Sequence, residues 1–515
     1  MAHVEQDFLL ARLKPVWSSY DHRLRCMQGT RRTLLNGIMA WAANASDTSN
    51  IYWIHGIPKI GKTSLAHSIC AELHDTGRFA GAFFCQRDDA NMSVLRNILP
   101  TLIFQLAGVF PPLRSIVADR LRSDPNLTSK SMENTLFLDS ICNLPRHPKH
   151  ALIFVIDALD ECGDDQDRPV LLKVLIEAAS HTPWLKFIVT SRPDDEIQHF
   201  FNRLPQSSYL GFDLATDREA GADLRTFAQC QFESVATRWR LPWPEQPLFD
   251  EVISRANGLF ILVKTLVLII KQCEDPEKSL KAALQDSAGT GWESLYGLYS
   301  SILKARRVPS NAEFRQVIGV LVAAAPYRTL CEDSIAELGG VRPDLVKKLV
   351  HDLSSLLYRD EATNGGIRIR HLSISEFFVS DQCPYQVNLE AANVQLGTAC
   401  LRTMIKQLRF NICKLEDSRL ANADIHDLPS RIKEHISDTL QYSSLHWSNH
   451  LCFNPDNGDH CVWGMLKEFF GGLHGLFWVE ILSIMGIVPI GAASLRQVIS
   501  WAKVSSAPHC HNGPN

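Results

Sequence analysis

The stretch HGIPKIGKTSLAH, from His55 to His67, places Gly56, Gly61, Lys62 and Thr63 at the fixed positions of the phosphate-loop pattern G-x-x-x-x-G-K-[ST]. The run Gly56, Ile57, Pro58, Lys59, Ile60, Gly61, Lys62, Thr63 and Ser64 is therefore the expected nucleotide cradle. Successive backbone N–H groups of such a loop surround phosphates, and the helix that starts at its end adds a partial positive charge. Lys62 is expected to reach the β- and γ-phosphates, and Thr63 to offer its hydroxyl to Mg²⁺. Lys59 and Ile60 fill the middle of the loop, where a small residue is the easier choice. A left-handed backbone at Lys59 would cost about 1–2 kcal/mol, and its ammonium would face an anionic ligand.

Two further stretches carry chemistry. LIFVIDALDEC ends an apolar run in Asp157. A carboxylate at the end of a buried strand is costly unless it serves a cation or is fully hydrogen-bonded, so Asp157 is the expected Mg²⁺ ligand, direct or through water. Asp160 and Glu161 follow, and either can polarise an attacking water; the alternative is that they pair with nearby arginines. FIVTSRPDDEI ends another apolar run in Thr190, Ser191 and Arg192. An arginine at that strand end can sense or stabilise a γ-phosphate, the alternative being a salt bridge to the acidic loop 194–195. No guanine-reading N-K-x-D motif is present, which favours ATP/ADP and leaves GTP open.

These residues need a scaffold that presents loops at one edge. IYWIHG, FAGAFFCQ, ALIFVID and LKFIVTS are short apolar runs alternating with helical patterns such as KTSLAHSICAELH. Runs apolar on both faces belong to parallel strands covered on both sides by helices, and the alternation implies a doubly wound α/β fold. Its ligands bind at the carboxyl ends of the strands. The expected organisation is a helical lead-in over 1–45, an α/β phosphate-loop NTPase core with a doubly wound parallel sheet over 46–215, and a helical domain over 216–305. A winged-helix domain over 306–388, a C-terminal helical domain over 389–505 and a tail over 506–515 follow. The winged-helix pattern is helices, a strand, a turn at TNGG and a second strand. It lacks a basic recognition helix, since Lys347 and Lys348 stand almost alone.

The bulk properties agree. The 515 residues are 45% hydrophobic and 21% charged, which fits several globular domains. A net charge of -4 argues against nucleic acid as the main partner. The 14 cysteines form no C-x-x-C pair, which fits reduced thiols in a cytoplasmic protein. The tail APHCHNGPN reads as a frayed terminus rather than a metal site. No secretory signal is visible. The apolar runs Gly258–Cys273 and Gly475–Leu495 are interrupted by Lys264, and by Glu480 and Pro489; both read as buried helices rather than membrane spans.

Taken in order, IYWIHGIPKIGKTSLAHSIC, GAFFCQRDD, LPTLIFQLAGVFPPL, LIFVIDALDEC, FIVTSRPDDEI and ANGLFILVKTLVLII resemble the NACHT class of STAND phosphate-loop NTPases, above all fungal NOD-like proteins and the nephrocystin-like N-terminal module. The likeness continues through IRIRHLSISEFFVSD and YSSLHWSNHL and covers about residues 20–505. The resemblance implies a nucleotide-dependent signalling switch, closed with a diphosphate and opening into a homo-oligomer with a triphosphate, with slow hydrolysis between. It implies that Ala158 is the small residue that follows the Mg²⁺ ligand, and that His371 contacts the diphosphate. Sensing and output partners are not indicated, and the chain is expected to hold the switch without an effector domain before it or a repeat array after it. The competing expectation is a nucleotide-independent scaffold with a degenerate loop; a small-molecule kinase would leave the helical extension unexplained.

Overall fold

The computed structural model describes residues 2–505 apart from 17, 45–48, 59, 88–90, 125–132, 143, 145–147, 164–166, 240–243, 272, 287–288, 306–310, 361–364, 417–419 and 452–459. Lys59, Thr363 and Asn364 of the TNGG turn, and the 506–515 tail thus lie outside the described residues. The chain divides into two compact units, Met1–Leu295 and Tyr296–Asn515.

The first unit opens with helices α1 (Ala2–Ala11) and α2 (Arg32–Ala43), then strand β1 (Ile51–His55), α3 (Lys62–Asp75), β2 (Phe79–Phe84), α4 (Ile98–Val109), α5 (Pro111–Ser123) and α6 (Glu133–Cys142). It continues with β3 (Leu152–Asp157), α7 (Arg168–His181), β4 (Leu185–Ser191), α8 (Asp195–Asn202) and β5 (Leu210–Asp213). Helices α9 (Ala220–Trp239), α10 (Gln246–Ala256), α11 (Phe260–Ile270) and α12 (Pro276–Asp286) complete it, with the start of α13 (Trp292–Ala305).

The five strands form one parallel sheet in the order β2-β3-β4-β1-β5. Both faces are covered, as the unbroken apolar runs require. Phe154 and Ile156 face one core layer with Trp53, Phe83 and Phe187; Ile153 and Val155 face the other with Ile54, Leu65, Ile69 and the α2 residues Ile38 and Trp41. Side chains alternate at period two along a strand, so one run fills two layers.

The segment between α1 and α2 is laced to this core rather than trailing from it. Val16 N–H donates to Thr101 Oγ1 (3.0 Å), Asp21 N–H to His67 Nδ1 (3.0 Å), and Cys26 N–H to Ser68 Oγ (2.9 Å). Phe84 N–H donates in turn to Ser18 Oγ (2.8 Å). At the amino end of β4, Lys186 is wholly buried. Its Nζ donates to the carbonyls of Trp41 (2.9 Å) and Asn44 (2.8 Å) and lies 4.6 Å from the Trp41 ring centroid. The last carbonyls of a helix lack intrahelical donors and carry partial negative charge, so this ammonium caps α2 and pins it to the sheet.

The second unit holds the rest of α13, then α14 (Asn311–Ala324), α15 (Glu332–Gly339), α16 (Pro343–Asp352), an antiparallel ribbon of β6 (Leu357–Asp360) and β7 (Gly366–Ile369), and α17 (Leu372–Val379). Helices α18 (Leu389–Gln407), α19 (Leu428–His435), α20 (Asp438–Leu451), α21 (His460–Gly471), α22 (His474–Ile484) and α23 (Val488–Ser505) follow. Trp447, Trp478 and Tyr442 are fully buried among them. His450 is held neutral inside, Nε2 on Tyr442 OH (2.7 Å) and Nδ1 on Asn393 Oδ1 (2.8 Å); burial pushes it down to about 3.

The two apolar runs behave differently. Helix α11 buries Leu262, Val263, Leu266, Val267 and Ile270. Helix α22 buries Trp478, Ile481 and Leu482 but leaves Leu476 67% exposed, so the second run is only half covered. Among the described residues no helix is long and apolar enough to cross a membrane.

Replacing Lys186 with methionine would remove both hydrogen bonds and the positive charge at the end of α2. Denaturant unfolding of Lys186→Met should show a loss of about 2–4 kcal/mol, with ligand binding at the opposite strand ends unchanged.

Candidate functional site

Strand β1 delivers the loop and α3 receives it. Gly61 caps α3 at φ +102, a left-handed conformation that favours glycine. At Gly56 the need is space, because a Cβ there would lie 3.2 Å from both Ile60 Cγ2 and Leu214 Cβ. Ile60 is 5% exposed and packs in the core with Ile54, Leu65 and Leu214, so an aliphatic residue suits this position. Ile57 is exposed and Pro58 half-buried. The Ser64 carbonyl accepts from Ser68 Oγ (2.9 Å) in the first turns of α3.

Lys62 is buried, and its Nζ donates to the carbonyls of Gly56 (2.7 Å) and Ile57 (3.0 Å). Burial lowers its pKa, while Asp160 and Asp157 oppose the drop. Asp157, 1% exposed, accepts from Thr190 Oγ1 at 2.6 Å and from the Thr63 hydroxyl. Burial raises it, and those two bonds with Lys62 work against the rise. The Ala158 N–H donates to the same Thr190 Oγ1 (2.9 Å), and Ala158 itself sits at φ +53. A left-handed turn with a small side chain directs the chain away from the strand end, straight into the short acidic turn Leu159–Glu161.

The two acids of that turn part company. Asp160 is 2% exposed; its Oδ1 accepts the Arg192 N–H (2.9 Å) and its Oδ2 lies 3.1 Å from Arg192 Nε. Asp160 is thus the partner of Arg192, the arginine-pairing alternative raised for this turn. Arg168 fastens the turn from behind, donating to the carbonyls of Asp160 (2.9 Å), Cys162 (2.9 Å) and Gly163 (3.1 Å). Glu161 is partly buried, and its carboxyl is pushed up to about 7, first by burial and then by Asp160 and Asp157. A carboxyl poised near neutrality can take a proton from water, which a fully ionised surface acid does poorly.

Lys62, Thr63, Asp157, Asp160, Glu161 and Arg192 therefore converge at one edge of the sheet. His371 lies in the second unit. It caps α17, its Nδ1 accepting the Ser373 N–H (3.3 Å) beside Ser373 Oγ (3.1 Å). The sequence reading missed Arg168 and Arg31; neither stands at a motif spacing, and only the fold shows what they hold.

Residues 29–192 match the family model described as nephrocystin 3, N-terminal. Over 490 residues the chain is 25% identical to the vegetative incompatibility protein HET-E-1 of Podospora anserina, covering 88% of this chain and 35% of that protein. The chain carries a NACHT-type NTPase module. It spans about a third of the length of that curated relative. Among solved structures, the Walker-type ATPase of Pyrococcus abyssi is similar at 14% identity and TM-score 0.34, covering 69% of this chain and 98% of that one. Cdc6p of Pyrobaculum aerophilum gives 13% identity and TM-score 0.31, covering 72% and 97%. Likenesses at that level carry no argument.

The raised Glu161 has a sign. Its folded-state pKa of about 7 exceeds the ordinary 4.5, so the native form holds the proton more tightly than the unfolded chain. That contribution to stability is complete below about pH 4.5 and is lost as pH rises through about 7. Glu161→Gln, always neutral, should melt higher than the parent at pH 8, with the gap closing toward pH 5. Thermal melts across that range without added nucleotide check it; a gap that does not change with pH contradicts it.

Proposed function

We propose that the chain is a nucleotide-dependent signalling switch that binds ATP or ADP with Mg²⁺ and hydrolyses the triphosphate slowly. The observation that carries this is the convergence of Lys62, Thr63, Asp157 and Arg192 at the carboxyl ends of three adjacent strands. The oxygen donors Thr63 and Asp157 suit a hard divalent cation, and a buried carboxylate raised by burial is one that a cation would relieve. When bound, Mg²⁺ neutralises charge on the β- and γ-phosphates.

The chain's own residues do the rest. Lys62 exchanges two loop carbonyls for phosphate oxygens. Glu161 orients a water and accepts its proton, and Arg192, aimed by Asp160, meets the γ-phosphate. The helices α14–α16 with the β6–β7 ribbon are read as a winged helix whose His371 answers to the diphosphate, and opening into a homo-oligomer is read as the output. The likeness to HET-E-1, a vegetative incompatibility protein, supports a role in fungal self/non-self or stress signalling.

Nucleotide released from the purified, denatured protein should be ADP or ATP, and it should be absent from Lys62→Ala. With Mg²⁺ and ADP at about a hundredfold excess over Kd, the melting transition should gain about 2.7 kcal/mol of stability. Protein that is empty and whose melting does not respond to nucleotide would establish the scaffold reading instead.

A further inference from the structure

Arg31 is the residue whose surroundings the nucleotide site does not yet explain. It is 4% exposed and sits at φ +56, left-handed for a side chain with a Cβ. Such a conformation is strained and persists only where the neighbourhood over-determines it. Here it does. The Arg31 N–H donates to Asp223 Oδ2 (3.0 Å), and Nε lies 3.9 Å from the same oxygen. Nη1 pairs with Asp217, and Nη2 donates to the Ile60 carbonyl (3.1 Å). The guanidinium carbon stands 5.9 Å from the centre of the Phe260 ring. Two carboxylates and a carbonyl around one planar fork suit arginine and not lysine.

The partners come from four places. Ile60 is in the phosphate loop, Asp217 follows the exit of β5, and Asp223 lies in α9, with Phe260 opening α11. The Ile60 carbonyl belongs to the same planar unit as the Gly61 N–H, and in a trans peptide the two point in opposite directions. Holding the Ile60 oxygen outward therefore fixes the direction of the Gly61 N–H, one of the donors of the phosphate cradle.

We propose that Arg31 is a positioning residue for the nucleotide loop: by tying the Ile60 carbonyl to Asp217 and Asp223 it aims the Gly61 N–H at bound phosphate and couples phosphate binding to the order of helix α9. The proposal rests on the nucleotide reading above. It makes the segment ahead of the sheet the joint between the loop and the helices that follow the core.

The test uses the full chain and Mg²⁺–ADP. Wild-type protein should bind ADP by calorimetry and gain hydrogen-exchange protection over 220–239 on binding. Arg31→Lys keeps the charge and loses the fork; it should weaken ADP by about tenfold or more and lose the nucleotide-dependent protection of α9 even when saturated. Asp223→Asn, outside the loop, should do the same and covers the case where Arg31→Lys folds poorly. The double variant should be no weaker than the worse single one, since both break one link. A purely structural role would lower the melting temperature with and without ADP alike and leave affinity and α9 protection intact, and that result overturns the proposal. Wild-type protein that binds no ADP overturns the nucleotide reading itself, a result distinct from unchanged binding by the two variants.

Discussion

One strand between two others governs the site. β4 lies between β1, which carries the phosphate loop, and β3, which ends in Asp157. Adjacent strands stand about 4.8 Å apart, so the two halves of the site are held roughly 10 Å from each other. That interval leaves room for phosphates and a hydrated cation, and it places Arg192 at the middle. The strand ends are stitched across the gap, with Trp53 Nε1 donating to Ser191 Oγ (2.9 Å) and Thr190 Oγ1 to Asp157 (2.6 Å). The loop and the acidic turn thus cannot drift apart without breaking buried hydrogen bonds.

The same spacing explains why two neighbouring acids serve different ends. Asp160 turns toward β4 and is consumed by Arg192, whose backbone and side chain both reach it. Glu161, one residue on, is left reluctant to ionise first by burial and then by the two carboxylates beside it. Like charges crowded in a low-dielectric pocket separate their roles in this way.

Much of this was legible beforehand because the physics is local. ALIFVID and LKFIVTS have no polar break until their ends, and only a strand buried on both faces tolerates that. Gly61 before Lys62 is a glycine where the chain turns through a left-handed residue into α3. What could not be read depends on meetings between distant residues. Asp160 and Glu161 look interchangeable in a line of text, and the partner of each is set by a strand some thirty residues away. β5 gives only four residues, one a glycine, at an exposed edge, too short for a periodic signal. Arg31 reads as one of two arginines opening a helix, and its bonds to Asp217 and Asp223 exist only after the chain has closed. The run Gly475–Leu495 was half right: the apolar content predicts burial, but which side finds a neighbour is a property of packing. Lys59 lies outside the described residues, so the awkward middle of the loop is answered only at Ile60, which faces the core.

Lys186 offers a practical handle of another kind. An amine reacts with acylating reagents only when it reaches water, and this one is closed in by a helix end and an indole ring. Surface lysines such as Lys281 will label at once, whereas Lys186 can label only when α2 swings off the sheet. The rate at which that single site is modified is thus a clock for opening of the core, readable by mass spectrometry without any engineered probe.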